Sequence, residues 1–165
     1  MKKVMVVFLL TATSHLLNAQ LTTKPTGQPG KVALPTPKIQ SVSPADLQVT
    51  DVSLVSAVVK TDTKLIVVTV KVTVKNTGQT KSPASMLGAS AKSVTQGSGW
   101  TDAGNTVQIQ ALNGSQACTN EITFKFPLNS ISGRRFNFRV LADAGARVTE
   151  SNENNNYSQG ILIGL

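Results

Sequence analysis

The side chains richest in coordinating chemistry lie together near the end of the chain, in Glu150-Ser-Asn-Glu-Asn-Asn-Asn156. With Asp143 upstream, Glu150, Asn152 and Glu153 form a set of hard oxygen ligands of the kind Ca²⁺ accepts. The same side chains also bond backbone N–H groups in turns and tolerate left-handed φ. Turn capping is therefore the simpler use of this cluster, and calcium the sharper one. No other cofactor is implied. A second candidate is Trp100, the only tryptophan, set in a glycine-rich stretch. An indole there could stack on a sugar ring, anchor a protein partner or pack over the end of a sheet. A third is a set of cations, Lys71, Lys75, Lys125, Arg135 and Arg139, each alternating with apolar residues. They could present a basic face to anionic polysaccharide or lipid headgroups. A solvated sheet face that discourages edge pairing needs the same residues and no ligand.

Nucleophilic and acid–base chemistry is poorly supplied. The chain has one histidine, His15, and one cysteine, Cys118. Neither a Ser-His nor a Cys-His pair can be built, nor a zinc site that uses histidine, once His15 leaves with the segment described next. Eight acidic residues spread along the chain give no evident carboxylate dyad. A non-enzymatic protein is expected, with no catalytic residues.

The positioning elements begin after a leader. Met1-Lys-Lys-Val-Met-Val-Val-Phe-Leu-Leu-Thr-Ala12 has the two-lysine start and short apolar run of a secretory signal. The run is too short for a membrane span, which needs about 20 apolar residues. Cleavage after Ala19 would leave 14 basic and 8 acidic residues, the 16 basic less Lys2 and Lys3, or a charge of +6. An exported chain of moderate charge, without a basic stripe interleaved with aromatics, is not a nucleic-acid binder. It is also not expected to insert in a membrane. Residues 20–45 hold five of the seven prolines, with three lysines and no acid, and read as an extended, disordered linker. A single domain over 46–165 is expected after it.

Within that domain Ile66, Val68, Val70, Val72 and Val74 recur every second residue, the period of a half-buried strand. Leu47, Val49, Val52 and Leu54, with Ala57–Val59 near the end, mark an earlier strand. Later ones are expected at 85–91, 106–112, 118–126, 134–143 and 157–163. Asn76-Thr-Gly78 reads as a turn in which Gly78 can take positive φ. Gln96 to Asn105 reads as a loop, and Cys118 as a buried, inert thiol. No segment of helical length repeats every 3.6 residues. About seven short strands at this spacing predict an all-β, two-sheet sandwich.

The order of these features resembles the CARDB family (cell adhesion related domain found in bacteria), an immunoglobulin-like sandwich. The matching segments are Asp46-Leu-Gln-Val49, Val74-Lys-Asn-Thr-Gly78, Leu112-Asn-Gly114 and the closing Val148-Thr-Glu-Ser-Asn-Glu-Asn-Asn155, preceded by Asp143. The resemblance implies a binding or spacing module of exported bacterial proteins. The expected function is therefore a secreted or periplasmic, non-catalytic adhesion-type module contacting an envelope protein or polysaccharide. The alternative is a periplasmic structural subunit or assembly factor that acts by β-strand pairing.

Overall fold

The computed structural model describes residues 41–95 and 99–165. The signal segment and most of the proline-rich linker expected from the sequence lie outside the described residues. Eight strands follow in chain order: β1 Leu47–Lys60, β2 Leu65–Asn76, β3 Ser85–Ser93, β4 Thr101–Asp102, β5 Val107–Ile109, β6 Ala117–Pro127, β7 Arg135–Leu141 and β8 Ile161–Gly164. Among the described residues helix is confined to one 3-10 turn, Leu128–Ser130.

The period-two valines of β2 behave as their spacing requires. Ile66, Val68, Val70, Val72 and Val74 are all buried, and the residues between them face outward. β2 is the middle of a three-stranded antiparallel sheet, ordered β1-β2-β6. The second sheet is also antiparallel, in the order β4-β3-β7-β8, with β5 added alongside β3. The two inner faces supply one core, an all-β sandwich. At its centre Phe124 and Phe126 of β6 meet Phe138 of β7, with ring centroids 6.0 and 6.1 Å apart. Tilted and edge-on geometries at that spacing add to plain area burial.

β1 shows how the sequence encodes a bend. Its apolar phase runs Leu47, Val49, then Val52, Leu54, then Ala57, Val59, switching parity twice. The register with β2 slips at the same two places, between Val49 and Asp51 and between Leu54 and Ser56. Each slip is a bulge that absorbs one residue and keeps the apolar set on the inner face.

Several local expectations are refined. The strand expected at 85–91 runs on to Ser93, and the strand expected over 106–112 shortens to three residues. The stretch read as a loop contains β4, which pairs Thr101 and Asp102 with Ala91 and Ser90. Gly78 is needed for a different reason from the one expected. Positive φ among the described glycines is recorded at Gly133, not Gly78. Instead the chain at Gly78 passes so close to residues 44–45 that a Cβ would lie 1.9 Å from the Pro44 carbonyl oxygen. Cys118 is only half-buried, at the rim of the core, and burial pushes its thiol pKa up against weaker pulls from Asn120 and the Val74 backbone.

Candidate functional site: an aromatic–arginine stack on the second sheet

Antiparallel register places three residues in a row across the outer face of the second sheet. Asp102 of β4 opposes Ser90 of β3, and Ser90 opposes Arg139 of β7. The Ser90 hydroxyl donates to Asp102 Oδ1 at 2.7 Å. Tyr157 bridges to Leu141, two residues beyond Arg139, so its ring falls diagonally beside the guanidinium. Trp100 enters from the other side, just before β4. The Arg139 guanidinium carbon sits 4.0 Å from the Trp100 ring centroid and 3.8 Å from that of Tyr157.

Both rings remain partly open to solvent, 37% for Trp100 and 46% for Tyr157. Ser90 lies beneath, nearly fully buried although it is on the outward side of its strand. Each cation–π contact contributes about 0.5–1 kcal/mol at an exposed site and more when water is excluded. The stack therefore fixes two large side chains in advance of any contact. Among the described residues buried Arg139 Nε meets no hydrogen-bond partner. Beside the stack, Gly88, Ser90, Asp102, Asn105 and Tyr157 border a hollow of about 160 Å³. That is well below the roughly 300 Å³ of an enclosed small-molecule pocket. The geometry suits a shallow contact and not an engulfed ligand.

The sequence-predicted residues divide between two faces. Trp100 and Arg139 come together. Arg135 lies on the same strand, exposed, four residues from Arg139. Lys71 and Lys75 are on the outer side of β2, in the other sheet, so the five cations expected to make one basic face form two. Lys71 also stands opposite Glu121 of β6, which balances its charge locally. Tyr157 was the member missed. Its sole signal was being the only tyrosine, and its place beside Arg139 depends on a bridge that no sequence period encodes.

The oxygen-rich closing segment is used for tying the chain. Asp143, at φ 47°, accepts from the Ser85 hydroxyl and from the backbone amides of Arg147 and Val148. Glu150 Oε1 accepts from Leu47 N at 2.7 Å, Glu153 Oε1 from Glu150 N, and Asn152 Oδ1 from Asn154 N. The set expected to hold calcium is thus engaged largely as caps. Among the described residues no three acidic, histidine or cysteine side chains converge on a point that could hold a metal ion. Among the described residues buried Glu150 Oε2 meets no hydrogen-bond partner, and burial raises the pKa of this carboxyl; the Leu47 amide and Asn156 side chain pull the other way, while Glu153 and Asp143 add repulsion.

A two-sheet, all-β sandwich closed by a capped acidic turn defines the class. Residues 44–160 match the CARDB family model, and the chain belongs to the CARDB family. Among solved structures it is similar to a domain of a protein described as a cell surface protein from Methanosarcina acetivorans. The identity is 21%, the TM-score 0.50, and the match covers 73% of this chain and 90% of that one. It is also similar to the CARDB domain of a Pyrococcus furiosus protein in complex with di-metal ions, at 17% identity and TM-score 0.49, covering 76% and 96%. β-Glucosidase 3B from Thermotoga neapolitana matches at 12% identity and TM-score 0.44, covering 73% of this chain but 16% of that enzyme. No curated protein matches. Family membership makes this a surface or binding type of module. Among the described residues no helix is long and apolar enough to cross a membrane.

Proposed function

We propose that the protein is an exported, non-catalytic adhesion-type module of the bacterial cell envelope that contacts a polysaccharide or protein through the Trp100–Arg139–Tyr157 stack. The observation that carries this reading is the pair of half-exposed rings held on one guanidinium. Aromatic and arginine side chains dominate binding hot spots, and rings fixed beforehand lose little entropy on contact. At the hollow's edge the second carboxylate oxygen of Asp102 faces hydroxyl or amide groups of a ligand, while Asn105 is engaged with the backbone of Thr123 and Lys125 and shapes the rim. Family membership and the sequence's secretory start support the location.

Trp100 is the only tryptophan, so its emission reports on the site directly. Titrating the protein with polysaccharide and with solubilised envelope protein should shift that emission in one series. Trp100→Ala abolishes the optical signal, so its binding is read by pull-down. That variant and Tyr157→Ala should each bind about tenfold or more weaker, the scale of a hot-spot residue. Lys71→Ala/Lys75→Ala, on the other sheet, should bind as the wild type does. Silence in both series, or equal binding by every variant, rejects the site. Protease digestion of the tagged protein on intact cells, beside fractionation of periplasm and medium, tests the location. Recovery in the cytoplasm alone rejects export.

A further inference from the structure

Among the described residues β1 pairs with β2 along one edge, and no strand pairs with its other edge, where Glu150 takes only the first amide, that of Leu47. It is 14 residues long, contains no proline, and carries charge in its downstream stretch only at Asp51 and Lys60. Long edges with exposed apolar residues template pairing with another strand unless proline, charge or bulges blunt them; β1 has two bulges but no proline and few charges. The apolar residues here are also uncovered. Leu54 and Val59 oppose the buried Val70 and Ile66 of β2, and so face the core side, yet are 44% and 42% exposed. The facing strand β8 has four residues against the fourteen of β1, and both side chains stay open to solvent.

We propose that β1 pairs with β1 of a second copy, antiparallel about a two-fold axis between Val55 and Ser56. The pattern is self-complementary in that register. Asp51 then opposes Lys60 of the partner twice, on the outer face. Val52 opposes Val59, and Leu54 opposes Ala57, all four on the inner face by their pairing with β2. The bulge at residue 55 makes this possible. It shifts the parity of the second half, so residues of equal facing meet across the axis. Pairing one register away in either direction sets Asp51 against Val58 or Lys60 against Ser53, leaving both charges unmatched. The partner's strand would extend the three-stranded sheet to six strands and cover the inner-face residues that one copy leaves open, an isologous contact of the commonest oligomer type. The strand-pairing alternative raised by the sequence would act at this edge, with the protein as its own partner.

Sedimentation of the full-length protein over micromolar to several hundred micromolar should show reversible dimers. Asp51→Lys and Lys60→Asp alone should each weaken dimerisation roughly tenfold, since two cross-strand pairs turn from attraction to repulsion. The double variant should restore it. Both sites are exposed, and unchanged melting of each variant separates dissociation from misfolding. As a second readout, Asp51→Cys/Lys60→Cys in a Cys118→Ser background should oxidise to a covalent dimer. An internal bond is out of reach, because nine residues of strand span about 30 Å. A wild type monomeric throughout, a double variant that stays dissociated, or no covalent dimer overturns the proposal.

Discussion

Asn76 shows how much one side chain can hold. It is fully buried at the end of β2. Its Oδ1 accepts from Asp46 N at 3.0 Å and Gly78 N at 3.1 Å, and its Nδ2 donates to the carbonyls of Thr80 and Leu112 at 2.8 and 3.0 Å. One amide thus joins the lead-in to β1, the turn after β2 and the segment before β6. A buried amide that meets all four partners is favourable, whereas its removal leaves buried donors and acceptors unpaired at about 1–3 kcal/mol for each group not rescued by water. Asn76→Ala is expected to cost about 2–4 kcal/mol in denaturant unfolding. Asn76→Asp should also destabilise, because a carboxylate cannot donate to Thr80 and Leu112. A cost below about 0.5 kcal/mol for Asn76→Ala would show that the four bonds are replaced by water. Gly78, two residues on, belongs to the same knot, since only a hydrogen fits against Pro44.

At the level of elements, the sandwich is locked by rings from opposite sheets. Phe138 of β7 touches both Phe124 and Phe126 of β6, and all three are fully buried. Phe138→Ala should cost about 3–5 kcal/mol, a large part of the 5–15 kcal/mol typical of a domain. Amide exchange should quicken in β2, β6 and β7 together, because the two sheets share this core; faster exchange confined to β7 would show that they open separately. The elements themselves were largely legible in the sequence. β2, β7 and the second half of β6 place β-branched or aromatic residues at every second position, and burial follows that period; in the first half of β6 it lapses, with Cys118 half-buried and Asn120 exposed. Even the bulges of β1 were written as parity switches at Thr50 and Val55. What was not legible is lateral placement. Trp100, Arg139 and Tyr157 meet because β4, β3 and β7 align at Asp102, Ser90 and Arg139, a register set by long-range pairing and not by local period. The basic face failed for the same reason, since alternation says that Lys71 and Arg139 point outward but not from which sheet.

Across the whole molecule, the closing segment fastens the end of the domain to its beginning. Glu150 accepts from Leu47 N, Asn155 Nδ2 donates to the Asp46 carboxylate, and Ser151 N donates to Ala45 O. These contacts span more than a hundred residues of sequence, so they form only when both sheets are in place. Glu150 makes that closure sensitive to pH. Its pKa is raised above the ordinary 4.5, chiefly because burial disfavours the carboxylate. Between 4.5 and the raised value the native state therefore binds more protons than the unfolded state. By linkage this group's contribution to stability falls as pH rises through that window, and levels off above it. Glu150→Gln keeps an acceptor for Leu47 N and removes the charge, so the difference between its unfolding free energy and that of the wild type should shift in the variant's favour from pH 4.5 upward. Glu150→Ala loses the acceptor as well and should be destabilised throughout, by about 1–3 kcal/mol at low pH. Urea unfolding of the three proteins at intervals between pH 4 and 8 separates the two effects. A glutamine variant whose stability runs parallel to the wild type across the range would mean that Glu150 is hydrated in solution, and that the chain ends are held by the Asp46 and Ala45 contacts without it.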